Sequence, residues 1–250
     1  MNEPRTIEAA QQQLFDPRRS SREKYAALIV GRPGWGALLH YELVQLLAQW
    51  VPGALGLALR QRLYPSLLGA CGRGVVFGQG VVLRHPHKIR LGDNVVVDDH
   101  CLLDAKGDAN HGIGIGRDVF IGRNTILSCK NGDIEVGDGA NIGFNCEIFS
   151  ASRVVVGPQT LIAAYAYLIG GDHDFSDPTQ AIADQARVSQ GISVGASVWI
   201  GAGAKVLDGV TIGDHAIVGA GAVVRESVGA AAVAVGVPAR IVGTREKATT

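Results

Sequence analysis

A histidine stands between two aspartates at Asp172-His173-Asp174, inside the run Gly170-Gly171-Asp172-His173-Asp174-Phe175-Ser176-Asp177-Pro178. Flanking carboxylates can fix the tautomer of an imidazole and raise its basicity. Such a ring takes a proton from a hydroxyl or amine nucleophile, the work of a general base. The competing reading is an exposed turn histidine without a chemical role. The tripeptide does not separate the two, so the elements that hold it must.

Those elements announce themselves by a period of six. Val194, Ile200, Val206, Ile212, Val218 and Val224 fall one hexad apart, and a second, mostly small ladder runs two residues ahead through Ile192, Val198, Ala204, Val210, Ala216 and Ala222. A period of six is neither helical nor that of a lone strand; it marks a β-helix of stacked hexapeptides. Three-hexad sets begin at Leu91, Ile115, Val136, Val156, Val194 and Ile212. A coil of three hexads needs 18 residues, and the excess at successive steps is 6, 3, 2, 20 and 0. Small loops are therefore expected near Lys106–His111 and Lys130–Asp133, and a long one over 169–191. Gly72–Leu91 adds a less regular coil, for about seven coils in all. Thr125, Cys146, Ala166 and Ala204 should share one inward corner, each about 4.8 Å above the last. Asn94, Asn124, Asn141 and Asn145 should lie near turns, where Asn tolerates left-handed backbone. A solenoid gains no stability from a 20-residue excursion, so the loop that carries His173 is a functional suspect.

Composition agrees. The chain has 250 residues, 34 of them glycine, and only 6% aromatic residues. Lys+Arg and Asp+Glu both total 23, so no global field favours nucleic acid. Arg18, Arg19, Arg22 and Lys24 form a basic cluster, read as part of a solvated polar tail over 1–24. Cys71, Cys101, Cys129 and Cys146 make no CxxC pair, so no metal knuckle is indicated. With no secretory signal in Met1–Ser20, a reducing, cytoplasmic setting is expected.

Residues 25–70 read as a helical cap over the open first coil, with Leu38, Leu39, Leu43, Leu46 and Leu47 on one helical face and a second helix over Leu55–Leu68 after Pro52-Gly53. The alternative places 38–68 flat on a membrane surface. The stretch is too short and broken to span one. The prism is expected over 71–229, with a C-terminal extension over 230–250.

The run from Val194-Gly195-Ala196-Ser197-Val198-Trp199-Ile200-Gly201-Ala202-Gly203 through Gly219-Ala220-Gly221 to Gly236-Val237-Pro238-Ala239-Arg240, taken with the histidine loop, resembles the hexapeptide-repeat acyltransferases. These include the maltose, galactoside and polysaccharide O-acetyltransferases. The resemblance covers roughly Gly72–Val242. It implies a mainly β protein, a left-handed parallel β-helix, assembled as a homotrimer with sites in the grooves between prisms. It implies an acyl-CoA cosubstrate, usually acetyl-CoA, with no permanently bound cofactor and no metal. His173 matches the general base, supported by Asp172 or Asp174, and the Ala202 backbone N–H matches the oxyanion donor. Trp199, Gly201, Ala220, Arg225 and Arg240 match donor-binding positions; Asn145 and Glu147 are candidates to face the acceptor. Sugar acetyltransferases of the family carry an acceptor-binding Asn where this chain has Gly143, so acceptor identity does not transfer. Three competing readings are an acyl-carrier-protein-dependent acyltransferase, a γ-carbonic-anhydrase-like metalloenzyme using His85, His87, His100 or His111, and a non-catalytic scaffold.

Overall fold

A computed structural model describes residues 17–245. Most of the expected polar tail and the last five residues lie outside the described residues. Twenty-three of the strands wind into three sheets, of seven, nine and seven strands. The first sheet starts at Ala70–Cys71, the second at Val76–Phe77 and the third at Val82–Arg84. Within each sheet every pair is parallel except the last pair of the second, as coils of a left-handed prism require. The coils number seven, and an eighth begins as Val228 bridges Ile212 and Ala232–Val235 pairs with Ile217–Val218. The second sheet therefore continues past the expected end at 229. Arg240–Thr244 then returns antiparallel to close it.

The hexad is legible in the turns. On the edge between the first and second sheets, and again between the second and third, each coil turns through four residues. The third of the four is always left-handed: Gly74, Asn94, Asp118, Gly139, Gln159, Ser197 and His215 on one edge, and Gly80, His100, Asn124, Asn145, Tyr165, Gly203 and Gly221 on the other. Glycine and asparagine fill this slot most cheaply. Three of the four asparagines expected at turns occupy it. Asn141 does not, and lies in the strand Asn141–Ile142. The fourth residue of each turn points inward and must be small. Thr125, Cys146, Ala166 and Ala204 stack there, all buried, linked by backbone N–H bonds such as Glu147 to Ala166 and Tyr167 to Ala204. All four cysteines are free thiols. Burial pushes the Cys101 thiol up to about 12.

The third edge, between the third sheet and the next coil of the first, carries every insertion. His85–Lys88, Ala105–Gly112, Lys130–Gly132, the Ala151–Ser152 corner and 171–191 all leave from it.

The N-terminal cap comprises α1 (Ser21–Tyr25), a π-helical turn (Ala26–Val30), α2 (Trp35–Ala48) and α3 (Gly53–Leu63). Ser20 and Glu23 form a capping box at the start of α1. The buried Arg60 ties the cap to the first coil: its guanidinium donates to the carbonyls of Phe77 at 2.8 Å, Ala48 at 3.1 Å and Val51 at 2.8 Å. The Tyr41 hydroxyl donates to the Leu83 carbonyl. His85 Nε2–H donates to the Ala27 carbonyl, and its ring lies where a Cβ on the left-handed Gly31 would sit.

The packed face of α2 differs from the one expected. Tyr41, Val44, Gln45 and Ala48 face the prism, whereas Leu39, Leu43, Leu46 and Leu47 are exposed. Both faces of this helix are apolar, so periodicity alone could not choose between them. No helix among the described residues is long and apolar enough to cross a membrane.

Two outcomes follow. Arg60→Leu leaves three junction carbonyls unsatisfied and should cost about 3 kcal/mol, read as a lower urea midpoint. His85 and His87 are both held below the ordinary imidazole value, His87 at about 4, by burial first and, for His87, then by Arg32. The unfolded chain takes these protons near pH 6.5. The linked stability is therefore complete above about that pH and is lost as pH falls toward 4. Thermal melts of His87→Gln should show a shallower decline over that window than the parent.

Candidate functional site

His173 lies on the third edge, at the root of the long loop. Asp172–His173 forms a short antiparallel ladder with Arg187–Val188, so the two stems of the loop brace each other. Its ring is half-buried, and Nδ1 is buried without a hydrogen-bond partner among the described residues. A cavity of about 130 Å³ opens here, lined by Lys130, Phe149, Ala151, Gly171, Asp172, His173 and Arg187. The Lys130 ammonium stands 5.3 Å from the Phe149 ring. Burial, then Arg187 and Lys106, pushes it below the usual lysine value. The pocket is thus a basic, partly desolvated niche beside an imidazole, suited to developing or permanent negative charge.

The flanking carboxylates do not serve the ring. Asp172 Oδ1 accepts the backbone N–H of His173 at 2.8 Å, and Asp174 Oδ1 accepts that of Ser176 at 2.9 Å. Both shape the loop, and neither fixes the imidazole tautomer. The loop's return is clamped instead by buried Ser189, whose Oγ meets the Gly170 carbonyl at 3.0 Å and Ser152 Oγ at 2.8 Å. Asp208 accepts the N–H groups of Gln190 and Gly191.

Gly201, Ala202 and Ala220 sit on the second edge. Ala202 is the second residue of its turn, and in four other turns, one of them on this edge, this slot has an aspartate partner. In other coils its N–H is held by an aspartate from the coil above: Arg73 by Asp93, Gln79 by Asp99, Arg117 by Asp138 and Ala196 by Asp214, at 2.6–2.8 Å. The slot therefore binds carboxylate oxygen as a matter of geometry. Above Ala202 stands Ala220, which has no side-chain acceptor to offer, its neighbour Gly221 donating to the Ala202 carbonyl at 2.8 Å. The exposed Ala202 N–H bonds to nothing among the described residues.

Trp199 is 52% exposed on the outer surface of the second sheet, in one column with exposed Leu161 and Phe120. Nearby, Phe144 and Tyr165 meet edge to face at 5.7 Å. Arg225 and Arg240 converge on Glu226, at 3.9 and 3.5 Å. Asn145 fills a left-handed turn slot, which accounts for its backbone. Glu147 faces outward on the third sheet below Tyr167, whose hydroxyl is raised by burial and then by Glu147. His85 and His87 pack under the cap, and His100 lies 6.4 Å from Trp50. Within one chain the His173 edge and the Ala202 edge are separated by the whole third sheet. Sequence reasoning missed Lys130, Phe149 and Arg187. The only signal for Lys130 was the three-residue excess at its turn.

Residues 191–226 match the family described as bacterial transferase hexapeptide (six repeats). Over this segment the chain resembles that family. It is 33% identical over 132 residues to a probable acetyltransferase of Mycobacterium tuberculosis, covering 53% of this chain and 44% of that protein. Nodulation protein L of Rhizobium meliloti is 41% identical over 111 residues, 44% of this chain and 60% of that one. The chain thus spans less than two thirds of these relatives. Among solved structures, a single-site mutant of AntD, an N-acyltransferase from Bacillus cereus in complex with dTDP-4-amino-4,6-dideoxyglucose and coenzyme A, aligns with a TM-score of 0.52 at 25% identity, over 75% of this chain and 90% of that one. The polySia-specific acetyltransferase NeuO shares the fold, with a TM-score of 0.54 at 20% identity over 72% and 88%.

Ser189→Ala removes the hub of the loop clamp. Amide hydrogen exchange at Asp174 and Gln185 should rise, with a loss of global stability of about 1 kcal/mol.

Proposed function

We propose that this protein is an acyltransferase that moves an acetyl or other short acyl group from acyl-CoA to a hydroxyl of a sugar or related acceptor. The observation that carries the reading is the pair formed by an imidazole whose Nδ1 has no partner among the described residues, at a braced loop root, and an open N–H at Ala202 in a slot that takes carboxylate oxygen in four other turns. The likeness to AntD, an N-acyltransferase in complex with coenzyme A and an amino-sugar nucleotide, supports a CoA donor and a sugar-type acceptor. The names of the acetyltransferase relatives support the reaction.

In this reading His173 removes the acceptor hydroxyl proton as the oxygen attacks the thioester carbonyl. A C–O bond forms, and the tetrahedral oxyanion rests on the Ala202 N–H, in the slot that takes aspartate oxygen in other coils. The C–S bond then breaks, and the proton passes from the imidazolium to the departing CoA sulfur. Lys130 and Arg187 hold polar or anionic groups of the acceptor beside the ring. Trp199 and the Gly201–Ala220 edge line the pantetheine path, and Arg225 and Arg240 take CoA phosphates, releasing Glu226.

The two halves of this site lie on different edges of one prism, so the reaction needs a neighbouring copy. A homotrimer supplies it, each His173 edge meeting the next copy's Ala202 edge in a closed ring. The exposed Leu161 and Trp199, neighbours on the second sheet, give that contact an apolar patch. The free thiols fit a reducing, cytoplasmic setting.

Thiol release from acetyl-CoA with sugar and amino-sugar acceptors tests the reaction. His173→Ala should lower kcat by roughly 10²–10⁴-fold with little change in KM for the donor; near-full turnover would remove the assignment. Ala220→Asp should seat a carboxylate on the Ala202 N–H, as Asp214 does on Ala196. It should cut kcat by roughly 10²-fold or more while the fold and trimer mass stay unchanged.

A further inference from the structure

The cap carries a surface that the proposed catalysis does not use. Trp35, Leu39, Leu43, Leu46 and Trp50 recur at steps of three and four along α2 and its C-terminal end, all between 54% and 81% exposed. They form one stripe on the side of α2 that faces away from Tyr41, Val44, Gln45 and Ala48. An indole stands at each end with leucines between. Leu47, Leu55 and Leu57 widen the exposed apolar surface. A helix apolar on both sides ordinarily has a partner on both sides, and no described residue covers the outer one.

The stripe adjoins a strongly basic cavity of about 880 Å³. Trp35 belongs to both: it lines the cavity, and the Arg22 guanidinium stacks on its ring at 4.4 Å. Arg19, Arg22, Arg32, Lys88 and His87 also line it. Arg19 and Arg22, read from sequence as part of a solvated tail, are therefore part of a cavity wall. Of the two acids there, Glu23 is held in the α1 capping box. Lys88 is held by neutral oxygens, the Gly107 carbonyl and Asn110 Oδ1. The bias extends along the chain. Between Lys24 and Gly92 eight Lys or Arg accompany a single acid, Glu42, which accepts the Tyr25 hydroxyl. From Asp93 onward eleven Lys or Arg accompany eighteen acids. The zero net charge conceals a basic cap end.

We propose that the outer stripe of α2 lies in the plane of an anionic phospholipid surface, with the Arg22–Arg32 cavity taking lipid phosphates. An α-helix of 14 residues is too short to cross a bilayer. An apolar stripe flanked by arginines, with indoles at its ends, is the form of a helix that lies in the interface. Charge decides between this occupant and a second copy of the chain: two cap ends would set like charge against like charge, whereas an anionic leaflet complements them. This inference rests on the cap alone and is independent of the chemistry at His173.

The full-length protein is centrifuged with phosphatidylcholine vesicles, with and without phosphatidylglycerol, and its oligomer mass is measured in parallel. It should pellet with the anionic vesicles and far less with the neutral ones. Leu39→Ser/Leu43→Ser/Leu46→Ser should stay in the supernatant, at unchanged oligomer mass and unchanged turnover of a soluble acceptor. Leu46→Ser alone, at the most exposed position, gives a weaker loss in the same direction if the triple variant misfolds. Arg22→Glu/Arg32→Glu should reduce partitioning by roughly 25-fold or more at low salt, taking about 1 kcal/mol for each basic charge lost. Failure of the parent protein to pellet with anionic vesicles overturns the proposal. So does a drop in oligomer mass in the stripe variant, which would make the stripe a contact between copies.

Discussion

The molecule depends on one constraint: each coil must present the next with an edge it can sit on. Parallel strands two to four residues long have little stability alone, and a single coil encloses almost no core. Backbone bonds from one coil to the next and a column of small inward residues make the prism cooperative. That is why the inward fourth position of the turns tolerates Thr125, Cys146, Ala166 and Ala204 but has no room for a larger side chain, and why a left-handed residue precedes each of them. Aspartate caps the second N–H of four turns, and the Ala202 N–H, with Ala220 above it, is left open. In a stacked array, an uncapped turn puts an open donor at a defined place.

Much of this was legible in the sequence. The hexad located the coils, and the small ladder located the inward corner. The step excess located the loops, because a coil can lengthen only by bulging outward. His173 stood out since its loop was the largest departure from that arithmetic. What was not legible has physical causes. The buried face of α2 could not be chosen because leucines and other apolar residues lie on both sides of the helix. Asp172 and Asp174 flank His173 in sequence, yet in this strand-like segment adjacent side chains diverge, and each carboxylate finds a nearby N–H instead of the ring. Lys130 and Arg187 approach the imidazole from other segments, and nothing in a one-dimensional pattern places them there. The prism also ran past 229, because Ala232–Val235 keeps the inward alternation after the hexad spacing has changed.

The cap and the prism meet through few groups, each with a large effect. Arg60 gathers carbonyls from the α2–α3 junction and from the first coil, so one guanidinium does the work of a short sheet. His85 and His87 close the other side of the seam and must be neutral to do so. The joint is strong at neutral pH and weakens in acid as these rings take protons.

All the inserted segments leave from a single edge. Side chains carried by successive loops there are offset by whole multiples of the inter-strand spacing, about 4.8 Å. His85, Lys106, Lys130 and His173 therefore stand like graduations on a ruler, with roughly 19 Å from the first to the last. On such a scaffold, reach is quantised. A longer or shorter ligand is met by moving a side chain to another loop, and the rod itself never has to bend.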